Sequence, residues 1–87
     1  MVKKMVTVRN LAGLHLRPAG ALCQIAMEFS CRVEFRHNNV TSNAKSVLSV
    51  LGSGVQCGDE LEIICDGTDE EAALQAVVSG IENGLGE

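Results

Sequence analysis

The sequence predicts an α+β open-faced sandwich, a four-stranded antiparallel sheet with three helices in the order βαββαβα. Three observations carry that expectation. Apolar and polar side chains alternate at Cys31–Arg36 and again from Leu61, as half-buried strands require. Apolar residues recur at three- and four-residue steps in two longer segments, as amphipathic helices require. The 87 residues, 46% of them hydrophobic, suffice for one core but not for two, so 1–87 is read as a single domain without linker or repeat.

The elements follow in order. Val2–Val8 reads as a strand with Val6 and Val8 on one face and Thr7 on the other, ended by a turn at Asn10–Gly13. Leu16–Glu28 reads as a helix whose buried stripe is Ala19, Leu22, Ala26 and Phe29. Pro18 sits in its first turn, where a missing N–H costs little. The second strand carries Cys31, Val33 and Phe35 inward and Arg32, Glu34 and Arg36 outward. His37-Asn38-Asn39 reads as a hairpin turn into a short strand, Val40–Asn43. His37 is expected to be solvated in that turn.

Ser46 precedes the apolar run Val47, Leu48, Val50 and Leu51, which Gly52 and Gly54 stop, so a helix of one to two turns with Ser46 at its cap is expected. Leu61, Ile63 and Cys65 form the inward face of a fourth strand, although Ile64 interrupts the polar face. Thr68-Asp69-Glu70-Glu71 has the form of a capping box and starts the last helix, whose stripe is Ala73, Leu74, Val77, Val78 and Ile81. Gly80, Gly84 and Gly86 are expected to loosen its second half. Thr7, Arg32, Glu34 and Arg36 supply the wet face of the sheet.

Composition narrows the function. Seven Lys and Arg against eleven Asp and Glu give a formal net charge of −4, which argues against a nucleic-acid partner, since affinity for a phosphate backbone needs clustered positive charge. The uncharged stretch Val47–Gly58 is broken by glycines and falls short of the roughly 20 apolar residues that span a bilayer. No secretory leader is read at the start, and a cytoplasmic location is expected. The four cysteines match no short-pair ligand spacing, so reduced structural thiols are expected and no metal or cofactor is predicted.

The chemically suggestive stretch is Gly13-Leu14-His15-Leu16-Arg17-Pro18-Ala19, which sets an imidazole and a guanidinium beside the free N–H groups of a starting helix. Neutral imidazole is nucleophilic near neutral pH, and an arginine fork clamps phosphate oxygens without acting as a base. The bland alternative is a surface cap residue beside a solvated charge. No carboxylate close in sequence offers itself as a general base, and no second nucleophile is visible, which disfavours a free-standing hydrolase.

These residues, with a second signature at Asn43-Ala44-Lys45-Ser46-Val47-Leu48 followed by Gly52 and Gly54-Val55, closely resemble the HPr phosphocarrier family of the bacterial sugar phosphotransferase system, over essentially the whole chain. The resemblance implies that His15 carries the phosphoryl group on Nδ1 and that Arg17 accompanies it. It also implies that enzyme I is the donor and enzyme IIA domains are the acceptors. It makes Ser46 the candidate regulatory site for an HPr kinase/phosphorylase, with a catabolite regulator as a further partner. Phosphate there would add about −1.5 to −2 charge beside an apolar surface; the alternative is a plain helix cap.

Leu16, Gly20, Cys23, Gln24 and Met27, off the buried stripe of the first long helix, together with Val47, Leu48 and Leu51, suggest a modest docking patch around His15; each has local packing as its alternative. Leu16 places a larger apolar group beside the histidine than many relatives carry. Gly20 is expected to weaken its helix, and Cys23 raises a redox possibility at the patch. A monomer suits a transient carrier. Two rival readings remain at this level: the nitrogen-related branch of the family, and a non-transferring regulatory binding module acting through Ser46.

Overall fold

The computed structural model describes residues 1–87 and has the expected order: β1 (Val2–Thr7), α1 (Leu16–Met27), β2 (Arg32–His37), β3 (Val40–Asn43), α2 (Val47–Leu51), β4 (Glu60–Asp66) and α3 (Glu70–Glu82). The strands form one antiparallel sheet ordered β1-β4-β2-β3. Register sets the faces. Val6 lies opposite Leu61, and Val33 and Phe35 lie opposite Cys65 and Ile63, so these side chains share the covered face and are all buried. Arg32 opposite Asp66 and Arg36 opposite Glu62 put opposite charges side by side on the open face.

Ile64, the apolar interruption, lies on that open face between Lys3 and Glu34 and is half-buried by lateral neighbours. Helix α3 lies against β1 and β4, α1 against α3, and α2 against α1 and β3. The expected stripes are the ones buried: Ala19, Leu22 and Ala26 in α1, Ala73, Val77, Val78 and Ile81 in α3, with Phe29 and Leu74 partly covered. No helix is long and apolar enough to cross a membrane.

The β2–β3 hairpin turns through Asn38 (φ 52) and Asn39 (φ 66). Two consecutive left-handed residues match the right-handed twist of the flanking strands, and asparagine tolerates that conformation. His37, by contrast, is not solvated. It ends β2 with only 10% of its side chain exposed, and its Nε2 lies 2.9 Å from Asp59 Oδ2. The sequence reading missed this because Asp59 arrives from the loop before β4.

The start of α3 also differs. Asp69, not Thr68, is the N-cap residue, and it forms no side-chain cap; its carboxylate accepts instead from the Ser30 and Cys31 N–H groups, both at 2.9 Å. Glu70 reaches back to accept from Gly67 N–H at 3.1 Å, so the three-residue reach of a capping box survives one position upstream. Asp69 thereby ties the start of α3 to the chain entering β2.

Gly80 faces α1, where a β-carbon would stand 2.6 Å from Cδ1 at the far end of the Ile25 side chain, so a larger residue would make Ile25 shift. Gly84, Leu85 and Gly86 follow α3 with φ of 84, 51 and 86°, reversing the chain while Leu85 stays buried and its N–H donates to Gly80 O at 2.9 Å. That reversal carries Glu87 back toward the start of α1.

Candidate functional site

His15 is the N-cap residue of α1, with extended backbone (φ −74, ψ −172) and no side-chain cap bond. The first helical bond runs from Ala19 N–H to His15 O at 2.9 Å; Pro18 has no N–H, and the Leu16 and Arg17 N–H groups meet no protein acceptor. The imidazole thus stands at the positive end of a twelve-residue helix beside two unspent donors. It is accessible, with 42% of its side chain exposed.

The loop that delivers it is held from below. Gly13 sits at φ 67, where a β-carbon would lie 2.3 Å from Val55 O, and the adjoining Leu14 N–H donates to that same oxygen at 3.2 Å. Leu14 and Val55 are buried. Glycine is therefore required at 13 both by the left-handed backbone and by the close approach, and the pair of loops fixes where α1 begins.

Arg17 is exposed and free of protein partners. Its guanidinium is near enough to Glu87 to help hold that carboxyl below the usual range; the larger cause is the hydrogen bond Glu87 receives from Asn10, and the His15 ring acts in the same direction. Glu87 Oε2 lies 3.0 Å from His15 Nε2, and Glu87 Oε1 accepts from Asn10 Nδ2 at 2.8 Å. Asn10 is buried and spends the same amide nitrogen on Gly84 O, also at 2.8 Å.

Asn10 and Glu87 were not foreseen as site residues. Asn10 carries only a turn signal in the sequence, and Glu87 stands at the far end of the chain from His15, so no local spacing points to either. The carboxylate missing near the histidine in sequence is supplied in space. Leu11, 94% exposed on the rim of the same cleft as His15, Asn10 and Glu87, is a third unforeseen neighbour.

The docking residues divide. Leu16 (69% exposed), Met27, Leu48 (78%) and Leu51 are exposed apolar side chains, and Gln24 is exposed as well. Gly20 and Cys23 are half-covered, the Cys23 thiol donating to Lys45 O at 3.2 Å. Val47 packs against the core and offers less surface than expected, because α2 turns it inward beside Val50. Ser46 is the N-cap of α2, its Oγ accepting from Ser49 N–H at 3.2 Å.

The four thiols are free, Cys31 and Cys65 in the core, Cys57 exposed. Burial pushes the Cys65 thiol up to about 11 and the Cys31 thiol upward as well. No three His, Cys, Asp or Glu side chains converge as a metal cage would require.

Fold and site together define a small open sandwich that presents one histidine at a helix start, without an enclosed substrate cavity. A family model described as "PTS HPr component phosphorylation site" matches residues 2–83. The phosphocarrier protein HPr of Treponema pallidum is 40% identical over 83 residues, covering 95% of this chain and 94% of the relative. The HPr-like protein Crh of Halalkalibacterium halodurans is 32% identical over 94% of this chain and 98% of its own. The crystal structure of HPr-C-His from Thermoanaerobacter tengcongensis superposes with a TM-score of 0.95 at 36% identity, covering 100% of this chain and 98% of that one. The chain belongs to the HPr phosphocarrier family of the phosphotransferase system.

Proposed function

We propose that this protein takes a phosphoryl group from phosphorylated enzyme I onto His15 and gives it to enzyme IIA domains, as a cytoplasmic, monomeric carrier for sugar uptake. The observation that carries the reading is the accessible imidazole at the start of α1, beside unspent Leu16 and Arg17 N–H donors. Nδ1 is the acceptor that the family resemblance implies. As the nitrogen–phosphorus bond forms, the helix end and the Arg17 guanidinium balance phosphate charge that the chain must hold only briefly. Histidine suits the task because the bond to nitrogen reacts readily in both directions.

The exposed Leu16, Met27, Leu48 and Leu51 serve as the docking surface, with Gly20, Cys23 and Gln24 between them and Val47 at its inner edge. They bury a modest area, consistent with a partner that must leave before the next arrives. Ser46 is the regulatory position: a phosphate on its cap oxygen would set a double charge beside the exposed Leu48 and oppose apolar docking. An HPr kinase/phosphorylase and a catabolite regulator are the partners that modification would serve.

Incubation with purified enzyme I and labelled phosphoenolpyruvate tests the carrier reading. Acid-labile, base-stable label on the wild-type chain, absent from His15→Ala, is the expected result. Label on His37 would overturn the site assignment. An unlabelled His15 with several competent enzymes I, together with regulator binding after Ser46 modification, would favour the binding-module reading, to which the similarity to Crh gives some weight. A nitrogen-related carrier would accept label but pass it to different IIA partners.

A further inference from the structure

Resting on the carrier reading of His15, we infer that Leu11 is a specificity-determining contact, an apolar anchor that enzyme I buries when it brings a phosphoryl group to the histidine. Of the large apolar side chains at the surface Leu11 is the most exposed, at 94%, and it takes no part in the core cluster. It lines the same cleft as His15, together with Arg9, Asn10 and Glu82. None of the docking residues on α1 and α2 lines that cleft, so His15 stands where two surfaces meet, the apolar helix patch and the cleft. A partner that closes over the imidazole covers part of both.

Neither the turn nor the core accounts for a leucine here. Asn10–Gly13 is a four-residue turn closed by the Gly13 N–H donating to Asn10 O at 2.9 Å, and Leu11 is its second residue. That position favours proline and accepts most residues, so the turn does not call for an apolar side chain. A side chain so exposed also gains almost nothing from burial on folding. The turn is nonetheless fixed at both ends. Asn10 is buried and donates to Gly84 O at 2.8 Å, while Gly13, at φ 67, lies hard against the Val55 carbonyl. A loop already ordered spends little entropy on binding, so an apolar group carried on it delivers most of its transfer free energy to the complex. Enzyme I is the occupant because it is the donor met in every cycle, whereas the acceptors vary, and a rigid anchor suits the constant partner.

Steady-state phosphoryl transfer from enzyme I, with the wild-type, Leu11→Ser and Leu11→Met chains as the varied substrate, tests the inference. In Leu11→Ser the KM is expected to rise about fivefold at unchanged kcat, the pattern of a lost contact made equally in the ground and transition states, and a fraction of what full burial of a leucine supplies. Leu11→Met keeps an apolar group of similar volume and is expected to stay within about twofold of the wild type. The ratio of KM between Leu11→Ser and the wild type should hold from about 50 to 500 mM salt, because an apolar contact is not screened. All three chains should melt together, since the side chain is 94% exposed and no folding contact is removed. An unchanged KM in Leu11→Ser would overturn the inference. So would a ratio that collapses in high salt, a loss confined to kcat, or a KM raised toward an enzyme IIA acceptor and not toward enzyme I. A wild-type chain that enzyme I never labels would overturn the carrier reading, and the assignment of Leu11 with it; a labelled wild type with Leu11→Ser unaltered would overturn Leu11 alone.

Discussion

At the scale of single residues, environment assigns different chemistry to identical side chains. His15 stands open at a helix start, whereas His37 is tucked beside Asp59, whose carboxyl is held low first by the Gln56 N–H and then by the His37 ring. The four cysteines separate in the same way. Cys65 at about 11, against an ordinary thiol at 9.0, holds roughly a hundredfold fewer thiolates near neutral pH, and its burial bars reagents as well. Alkylation of the folded protein by iodoacetamide should therefore label exposed Cys57 first and half-covered Cys23 more slowly. Cys31 and Cys65 should react only after unfolding, as read by mass spectrometry over time. Early labelling of Cys65 would contradict its place in the core. The structural role of Cys31 and Cys65 was legible from their strand phase; the Cys23 contact to Lys45 O was not, because it joins α1 to the loop before α2.

At the scale of elements, glycine shows how one residue type serves opposite ends. Gly13 and Gly80 fill positions where a β-carbon would strike a neighbour, at 2.3 and 2.6 Å. Gly20 meets nothing within 4 Å and has an ordinary helical backbone. Gly20→Ala should therefore stabilise the protein by about 0.5–1 kcal/mol, chiefly by restricting the unfolded chain and favouring the helix. Urea denaturation at unchanged m-value measures it, and a loss of stability would mean the site is tighter than its geometry. The added methyl group would also mark the docking patch: slower transfer by a more stable protein would place Gly20 in contact with a partner. Gly20 is the weak point the sequence reading saw in α1, and this prediction tests it; at Gly80 the propensity cost of glycine comes together with the close approach of Ile25 from α1, which helix propensity alone does not register.

At the scale of the whole molecule, carboxylates act as ties between distant segments. Asp69 joins the start of α3 to the chain entering β2, and donation from the Ser30 N–H is the main reason its carboxyl is held below the ordinary 3.8. Gly67 N–H lowers Glu70, and Asn10 lowers Glu87. A carboxyl lower in the folded than in the unfolded state binds protons more readily when unfolded. Its stabilisation is complete above the unfolded value and disappears as pH falls through the folded one. The melting temperature should therefore be nearly flat between about pH 5 and pH 7 and decline below about pH 4. Asp69→Asn keeps an acceptor but cannot titrate, so its acid slope should be shallower than the wild type's in a melting series from about pH 6 to pH 2. An identical slope would remove Asp69 from the account.

The order of elements, the buried stripes and the histidine at the helix start were carried by the sequence itself, because periodicity, turn chemistry and the Gly13–Ala19 stretch are local and survive without knowledge of neighbours. The β4 placement between β1 and β2, the close α1–α3 contact at Gly80, the His37–Asp59 pair and the gathering of Asn10 and Glu87 beside His15 belong to tertiary structure. Each joins residues far apart along the chain, and only packing determines which distant donor meets which acceptor. The candidate histidine was written in its own neighbourhood; the groups around it came from the other end of the fold.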